Sequence, residues 1–592
     1  MYNDKGATDC MDIGMTYTQW ATNRYFDEAT RKELEGIAGD NSEIRDRFYK
    51  ELDFGTAGIR GIIGAGTNRM NKYVVRRLST AIAAHLLSKG SKAKKDGVVI
   101  GYDSRNFSEE FAKEAAAVFA GNGIKVYLHT EIVPVPFLSF SVRQLRCAAG
   151  VMITASHNPK EYNGYKVYGA DGAQLSLTDS EQISRIMLSI TDYTKVPSFS
   201  FDFFKNGNNI KYVDSNLKAL YLKEIKKLIA DKEGFKKNAA QITVVYTPLH
   251  GAGAKWIPEL LKECGVSDLH TVKEQMQPDG DFPTVKLPNP EDPAAFEMAL
   301  ALAKEVQADL VLASDPDSDR TGVYAKTPDG GYAMLNGNQI GVLLLERIIE
   351  SRNARKMMPV NPFVVSTVVS TRLTKRICEA NSIEYVDVLT GFKFIGEKIM
   401  ELDEHGDKNF LFGFEESYGY LPGTYARDKD AVAGCLFAAE AAAHYAALGK
   451  TLFEALDDIY KKYGYHNEMQ VSINLKGESG LRMIRKIMDT VREANGKFLA
   501  AVPAEYTDIQ SSEVIKFNKD GSIASKEKTT LPSSNVLTFN YGDRWFCLRP
   551  SGTEPKIKIY FGGIADNLDE AHGKAVQLKE EVLGKIMPII KK

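Results

Sequence analysis

A chain of 592 residues and 65.5 kDa exceeds what one hydrophobic core usually supports, so three to five domains are expected. An apolar fraction of 44%, a charged fraction of 26% and a net charge of -2 describe an ordinary globular protein, with no electrostatic case for nucleic acid or an anionic membrane as partner. Six scattered cysteines (Cys10, Cys147, Cys264, Cys378, Cys435, Cys547) form no Cys-x-x-Cys pair, which argues against structural zinc and for a reducing compartment. No basic region followed by an apolar run opens the chain, and no stretch reaches about 18 uninterrupted apolar residues, so a cytoplasmic location is the expectation.

Residues 16–52 read as a helical packing arm, with Trp20, Tyr25, Leu34, Ile37 and Phe48 spaced among charges. Phe54 to Gly61 carries three glycines around Arg60, a loop able to hold an anion on exposed amides. A helix is predicted over Val74–Leu87, a strand over Gly97–Gly101 ending at Asp103 and Arg105, a helix over Ser108–Ala120 and a strand at Lys125–Leu128. Alternation on this scale means βαβ units and a mostly parallel sheet, whose functional loops lie at the carboxyl ends of strands. Gly150–Lys166 follows: an apolar strand, then Ser156 and His157, with bends predicted at Asn158-Pro159 and Asn163-Gly164. A strand-end serine with an imidazole and the Lys166 amine nearby is a candidate covalent group carrier.

A polar stretch, roughly Thr191–Asn209, reads as a linker. The grammar then restarts with strands at Gln241–Tyr246 and Asp309–Ala313, a helix at Gln339–Ser351, and strands at Phe363–Ser366 and Phe410–Phe412. From about Gly464 the texture shifts to alternating strands, a charged helix and a final helix from about Leu568, the pattern of a separate α+β domain.

Four further stretches carry chemistry. Asp315, Asp317 and Asp319 alternate at a strand end, where hard oxygens can converge on Mg²⁺; Arg320 and Lys326 stand where a Ca²⁺-binding EF-hand loop needs Gly and Glu, which excludes that reading. Arg427 with Lys429, and Arg549, Ser551, Gly552 and Thr553, offer the dense donors that a phosphate dianion needs. Glu415 and Ser417 sit in a glycine-flanked loop suited to sugar hydroxyls. No nucleotide-binding glycine loop and no Gly-x-Ser-x-Gly elbow is present. Phosphate handling without a nucleotide loop makes Ser156 a candidate phosphoryl carrier.

Thr154-Ala-Ser-His-Asn-Pro159, Asp315-Pro-Asp-Ser-Asp-Arg320, Gly413-Phe-Glu-Glu-Ser-Tyr-Gly419 and Arg549-Pro-Ser-Gly-Thr-Glu-Pro555 occur in that order, one per inferred domain. The chain thereby resembles the α-D-phosphohexomutase superfamily, closest to its phosphoglucomutase branch, which includes phosphopentomutases. The resemblance implies an α/β protein: three similar α/β mixed-sheet domains plus a smaller C-terminal α+β domain around a central cleft, here 1–210, 211–330, 331–460 and 461–592. It implies a phosphorylated Ser156 that binds Mg²⁺ together with Asp315, Asp317 and Asp319. It also implies sugar contacts from Glu415 and Ser417, and phosphate contacts from Arg427, Lys429, Arg549, Ser551, Gly552 and Thr553. Arg60, His157, Lys166, Arg320 and the Thr390-Gly391-Phe-Lys393 loop are expected in the cleft, with Lys166 and His157 handling protons. The implied activity interconverts glucose 1-phosphate and glucose 6-phosphate through glucose 1,6-bisphosphate, in a monomer or weak dimer whose partners are small sugar phosphates. Ser417-Tyr418-Gly419 departs from the Ser-Gly-His of members that accept mannose phosphates, which speaks against mannose. Ribose or deoxyribose phosphate would need the same motifs, so a phosphopentomutase is the rival within the class; a non-catalytic sugar-phosphate binder and a metal-dependent phosphatase are rivals outside it.

Overall fold

The computed structural model describes residues 12–55, 58–475, 477–551 and 555–591. They build four sheets. The first runs, edge to edge, through Gly58–Ile62, Tyr162–Gly169, Ala149–Ile153, Val98–Tyr102, Val126–Leu128 and Ile210–Tyr212. Its first two pairings are antiparallel and the other three parallel. The second sheet orders Tyr332–Leu335, Thr321–Lys326, Leu310–Ser314, Thr243–Thr247 and Asp268–Thr271, again two antiparallel pairings and then parallel ones. The third orders Glu384–Val388, Pro362–Thr367, Asn409–Glu415 and Gly419–Leu421, with only the last pairing antiparallel. The fourth is a seven-stranded antiparallel sheet spanning Tyr465–Ala565.

The first three sheets share one device. A buried strand leaves the parallel part (Ala149–Ile153, Leu310–Ser314, Asn409–Glu415), passes through a short loop and returns as an antiparallel neighbour. Those loops are the serine, aspartate and sugar motifs. Each holds one non-glycine residue in the left-handed region: Ser156 at φ 51°, Ser318 at 53° and Tyr418 at 64°. Such backbone persists only where its surroundings over-determine it.

One apolar core runs through the first three domains, and Phe137, Tyr221 and Trp256 carry it across the first boundary with ring centroids 4.7–5.9 Å apart. The fourth domain has its own core around Ile487, Phe539, Phe546, Phe561 and Val582. It meets the third on a small apolar seat that includes Val369, Leu389, Ile509 and Trp545, with the Arg372 guanidinium 5.0 Å above the Trp545 ring. Among the described residues no single helix is long and apolar enough to cross a membrane; one bent pair, Ala431–Ala447 with Leu452–Tyr463, passes by composition, and its apolar residues lie in the core.

Several local expectations change. The N-terminal segment is three short helices, Ile13–Thr22, Glu28–Glu35 and Asn41–Phe48, each opened by an aspartate cap (Asp12, Asp27, Asp40) that accepts backbone N–H bonds. They belong to a separate core of the first domain, in which Trp20 packs on Phe26, Phe48 and Tyr73. Gly58–Ile62 is an edge strand rather than a loop. Ser156 follows an interior strand of the sheet. Residues 191–209 do not form a free linker: a 3₁₀ turn at Tyr193–Lys195 and a helix at Phe201–Asn206 lead into the sixth strand, and the buried Tyr193 hydroxyl donates to Glu51 while accepting from Arg77. Tyr332–Leu335 pairs within the second sheet, past the expected boundary at 330, and Ile210–Tyr212 stays in the first, past 210.

Asn163-Gly164 is no bend. It lies inside Tyr162–Gly169, where Asn163 donates to the Asn106 carbonyl and the Ser108 hydroxyl. Glycine is needed at 164 for close approach, since a Cβ there would stand 2.5 Å from the Thr154 carbonyl oxygen and 2.9 Å from that of Ile59. Both obstacles are backbone and cannot swing aside. Gly164→Ala is therefore expected to cost about 1–3 kcal/mol of first-domain stability, read as a lower urea midpoint by Trp20 fluorescence or by activity.

Candidate active site

The site is built around the turn after Ala149–Ile153. The Thr154 hydroxyl accepts the Ser156 N–H (2.8 Å) and donates to Asp317 Oδ2 (3.0 Å). Ser156, only 3% exposed, donates its Oγ–H to Asp315 Oδ2 at 2.8 Å and stands 3.2 Å from His157 Nδ1. A serine from the first domain thus touches a carboxylate of the second.

Asp315, Asp317 and Asp319 converge with one oxygen each within 4.8 Å, all buried. Asp315 Oδ1 is taken by the backbone N–H groups of Asp319 and Arg320. Asp317 Oδ1 and Asp319 Oδ1 are buried without any hydrogen-bond donor. Two orphaned carboxylate oxygens beside a third carboxylate fit a hard divalent cation, because a buried acceptor left bare is costly. A glycine-rich turn backs this loop: a Cβ at Gly251 would stand 2.4 Å from Pro316 Cα, and one at Gly253 2.6 Å from Ser314 Oγ.

Cations surround the carboxylates. Lys166 Nζ bonds Asp317 Oδ2 (2.8 Å) and Asp319 Oδ2 (3.0 Å), and Lys429 Nζ reaches Asp319 Oδ2 at 3.1 Å. First, second and third domains meet here. Burial works against the Lys166 and Lys429 ammonium groups, but the neighbouring carboxylates outweigh it and hold both pKa values above the usual lysine range. Burial likewise works to raise Asp319, yet Lys166, Lys429 and Arg320 keep it far below the carboxylate range. Asp315 is pushed well up by burial and then by Asp317 and Asp319. His157 is held well below its ordinary value by burial, with the Arg320 and Arg60 charges adding to it, so its imidazole is neutral. Arg320 pairs with Glu291.

These groups open onto a cleft of about 950 Å³. Of the expected residues, Arg60, Ser156, His157, Lys166, Asp319, Arg320, Lys429, Arg549 and Ser551 line it. Arg60 donates to Asn158 Oδ1 at 2.7 Å. Gly552 and Thr553 lie outside the described residues. Glu415, 5% exposed, and Ser417, which donates to Glu416 Oε1 at 3.4 Å, are not among the cleft-lining residues. Two residues beyond Ser417, a Cβ at Gly419 would stand 2.3 Å from Lys429 Cδ.

Two expected contributions are placed elsewhere. Lys393, 3% exposed, donates to the Leu175 carbonyl at 3.0 Å, and its neighbours Thr390 and Gly391 are not among the cleft-lining residues. Arg427 is spent on the Thr424 and Ala426 carbonyls and Glu404, while its N–H bonds Ser139 Oγ (2.8 Å), so it ties the third domain to the first. Burial lowers its pKa to about 10. Among the other polar residues lining the cleft, given no site role by the sequence reading, are Asn158, Gln174, Lys556 and Lys558. The last two alternate on the strand leaving the Arg549–Pro555 motif, a period-2 signal that places both on one face.

The chain matches in order four family profiles: phosphoglucomutase/phosphomannomutase alpha/beta/alpha domain I over residues 51–194, domain II over 219–330, domain III over 336–463 and the C-terminal domain over 490–572. Phosphoglucomutases of Staphylococcus aureus strains bovine RF122 / ET3-1 and USA300 are each 39% identical over 541 residues, 90% of this chain and 93% of the relative. Among solved structures, parafusin, a Paramecium phosphoglucomutase in its open form, aligns with a TM-score of 0.67 at 17% identity, covering 92% of this chain and 96% of that one. A phosphoglucomutase/phosphomannomutase family protein of Burkholderia thailandensis gives 0.63 at 19% identity, covering 90% and 97%. At those identities the two structures speak for the fold.

Glu415 provides a pH test of the site. Burial raises its pKa to about 7; Lys429 opposes this and Glu416 adds to it. Between the ordinary carboxylate range and pH 7 the folded state then holds a proton that the unfolded state releases, so this group makes stability fall as pH rises through that window. Glu415→Gln is expected to remove this contribution, seen as a flatter stability profile between about pH 4.5 and 7 in urea unfolding.

Proposed function

Because the chain belongs to the phosphoglucomutase/phosphomannomutase family, we propose that it is a phosphoglucomutase, interconverting glucose 1-phosphate and glucose 6-phosphate through phospho-Ser156 and glucose 1,6-bisphosphate. The observation that carries this reading is the Ser156 hydroxyl at 2.8 Å from Asp315, at the rim of three buried carboxylates and open to a cationic cleft. Asp315, Asp317 and Asp319 would hold Mg²⁺ together with an oxygen of the Ser156 phosphoryl group. Bound there, Mg²⁺ supplies Lewis-acid neutralisation of the transferring phosphoryl charge.

The protein's own groups do the rest. Arg549, Ser551, Lys556 and Lys558 bind the phosphate that does not react, and fix the sugar with its free hydroxyl toward Ser156. That hydroxyl oxygen attacks phosphorus; the P–O bond to the sugar forms, the P–Oγ bond of Ser156 breaks, and the hydroxyl proton ends on Ser156 Oγ. Neutral His157, 3.2 Å from Oγ, is the group suited to pass that proton. Lys166 is assigned the other role: two carboxylates keep it an ammonium, which offsets charge rather than accepting a proton. The bisphosphate then turns in the cleft and returns its other phosphate by the reverse chemistry. Glu415 and Ser417 are assigned to sugar hydroxyls. A monomer or weak dimer in the cytoplasm, with sugar phosphates as its only partners, completes the reading.

Ser156→Ala is expected to lose at least about 10³-fold in turnover, and the parent to carry one phosphate on the Ser156 peptide by mass after incubation with glucose 1,6-bisphosphate. Full turnover by the alanine variant would end the reading. Chelation should abolish activity and added Mg²⁺ restore it. In coupled assays kcat/KM should be higher on glucose 1-phosphate than on ribose 1-phosphate or mannose 1-phosphate; a higher value on ribose 1-phosphate would make the enzyme a phosphopentomutase.

A further inference from the structure

Arg105 lies behind the serine loop, 3% exposed and absent from the cleft lining. Its two terminal nitrogens donate to four backbone carbonyls of one loop. Nη1 bonds the carbonyls of Pro159 (2.9 Å) and Tyr162 (3.0 Å), and Nη2 those of Ser156 (2.5 Å) and Asn158. The arginine is itself fixed: its N–H bonds Asp103 Oδ1 at 3.0 Å, the Ser108 hydroxyl bonds the same oxygen at 2.7 Å, and Nε stands 3.5 Å from Asp103 Oδ2. Phe282, from the second domain, closes the far side with its ring 5.0 Å from the guanidinium carbon.

We propose that Arg105 is a positioning residue for phosphoryl transfer: by gathering the carbonyls of Ser156, Asn158, Pro159 and Tyr162 it holds Ser156 in its left-handed conformation with Oγ aimed at the aspartates. This rests on the reading of Ser156 as the phosphoryl carrier. A serine at φ 51° sits in a costly conformation that relaxes unless its neighbours forbid it. Within the loop the restraints are the Ser156 N–H bond to Thr154 Oγ and two backbone bonds, Asn158 N–H to Ala155 O and Tyr162 N–H to Pro159 O, none of which engages the Ser156 carbonyl. A planar fork can serve four acceptors at once from a fixed direction, which one ammonium on a flexible stem cannot. Shielding by Phe282 keeps water from competing for those carbonyls and strengthens the bonds. It also makes the clamp complete only when the second domain, bearing the aspartates, is seated.

The test uses full-length Mg²⁺-loaded protein with Arg105→Lys. Phosphoserine stoichiometry is read by intact mass after glucose 1,6-bisphosphate, and kcat is expressed per phosphorylated site. A displacement of the reacting oxygen by about 1 Å is expected to lower kcat by about 10–100-fold with KM within about threefold of the parent, since the substrate cleft is untouched. Turnover per phosphorylated site within about threefold of the parent, or a loss that only tracks the fraction of folded protein, would overturn the proposal. If the lysine variant does not fold, Ser108→Ala, which removes one of the two donors on Asp103 Oδ1, should lower kcat several-fold at unchanged KM, and an unaltered kcat would overturn it equally. A parent that neither takes up phosphate nor turns over would instead end the carrier reading.

Discussion

Three buried carboxylates beside the cleft, where three domains meet, are the constraint on which the rest of this structure depends. Isolated buried charge is among the costliest things a fold can contain, so each carboxylate demands partners. The first domain supplies Lys166, Thr154 and Ser156, the third supplies Lys429, and the second adds the Arg320 charge and two of its own backbone N–H groups. No one domain can satisfy the cluster. The oxygens that remain bare, on Asp317 and Asp319, mark where a cation belongs. Assembly of the domains and assembly of the site are therefore one event.

Repetition makes that convergence economical. Three sheets each end a buried strand in a short loop and return antiparallel, and each loop keeps one side-chain-bearing residue at positive φ. In the fourth domain, too, Arg549 lies near the end of one strand, Arg544–Pro550, and Lys556 opens its antiparallel partner, Lys556–Ala565. That domain differs in having a separate core and only a narrow seat on its neighbour. A phosphate grip carried on such a module suits a reaction whose bisphosphate must present its two ends in turn.

Much of this was legible in the sequence because the motifs are short and sit where strands end. The Asp315–Asp319 alternation, the serine after an apolar strand and the Arg549–Ser551 donors are local patterns, and local patterns survive translation into structure. What stayed hidden depended on tertiary pairing. Asn163-Gly164 carries a turn signature, yet Gly164 is glycine because two strands crowd it. Residues 191–209 are polar in composition, yet Tyr193 and the helix after it are tied down by partners far away in sequence. Arg427 and Lys393 have the right chemistry for phosphate, but their reach is taken by carbonyls that no spacing rule reveals. Arg105 was legible as a residue at a strand's carboxyl end, but its four acceptors only come together once the loop has folded around it.

The central claim is that the Ser156 phosphoryl group and Asp315, Asp317 and Asp319 share one cation. Calorimetric Mg²⁺ binding to phosphorylated and dephosphorylated protein, compared at one pH and ionic strength, tests it most directly. Adding anionic oxygens at Ser156 is predicted to tighten Mg²⁺ binding by about tenfold or more. Equal affinity in the two forms would contradict the account, because the cation would then not be touching the phosphoserine.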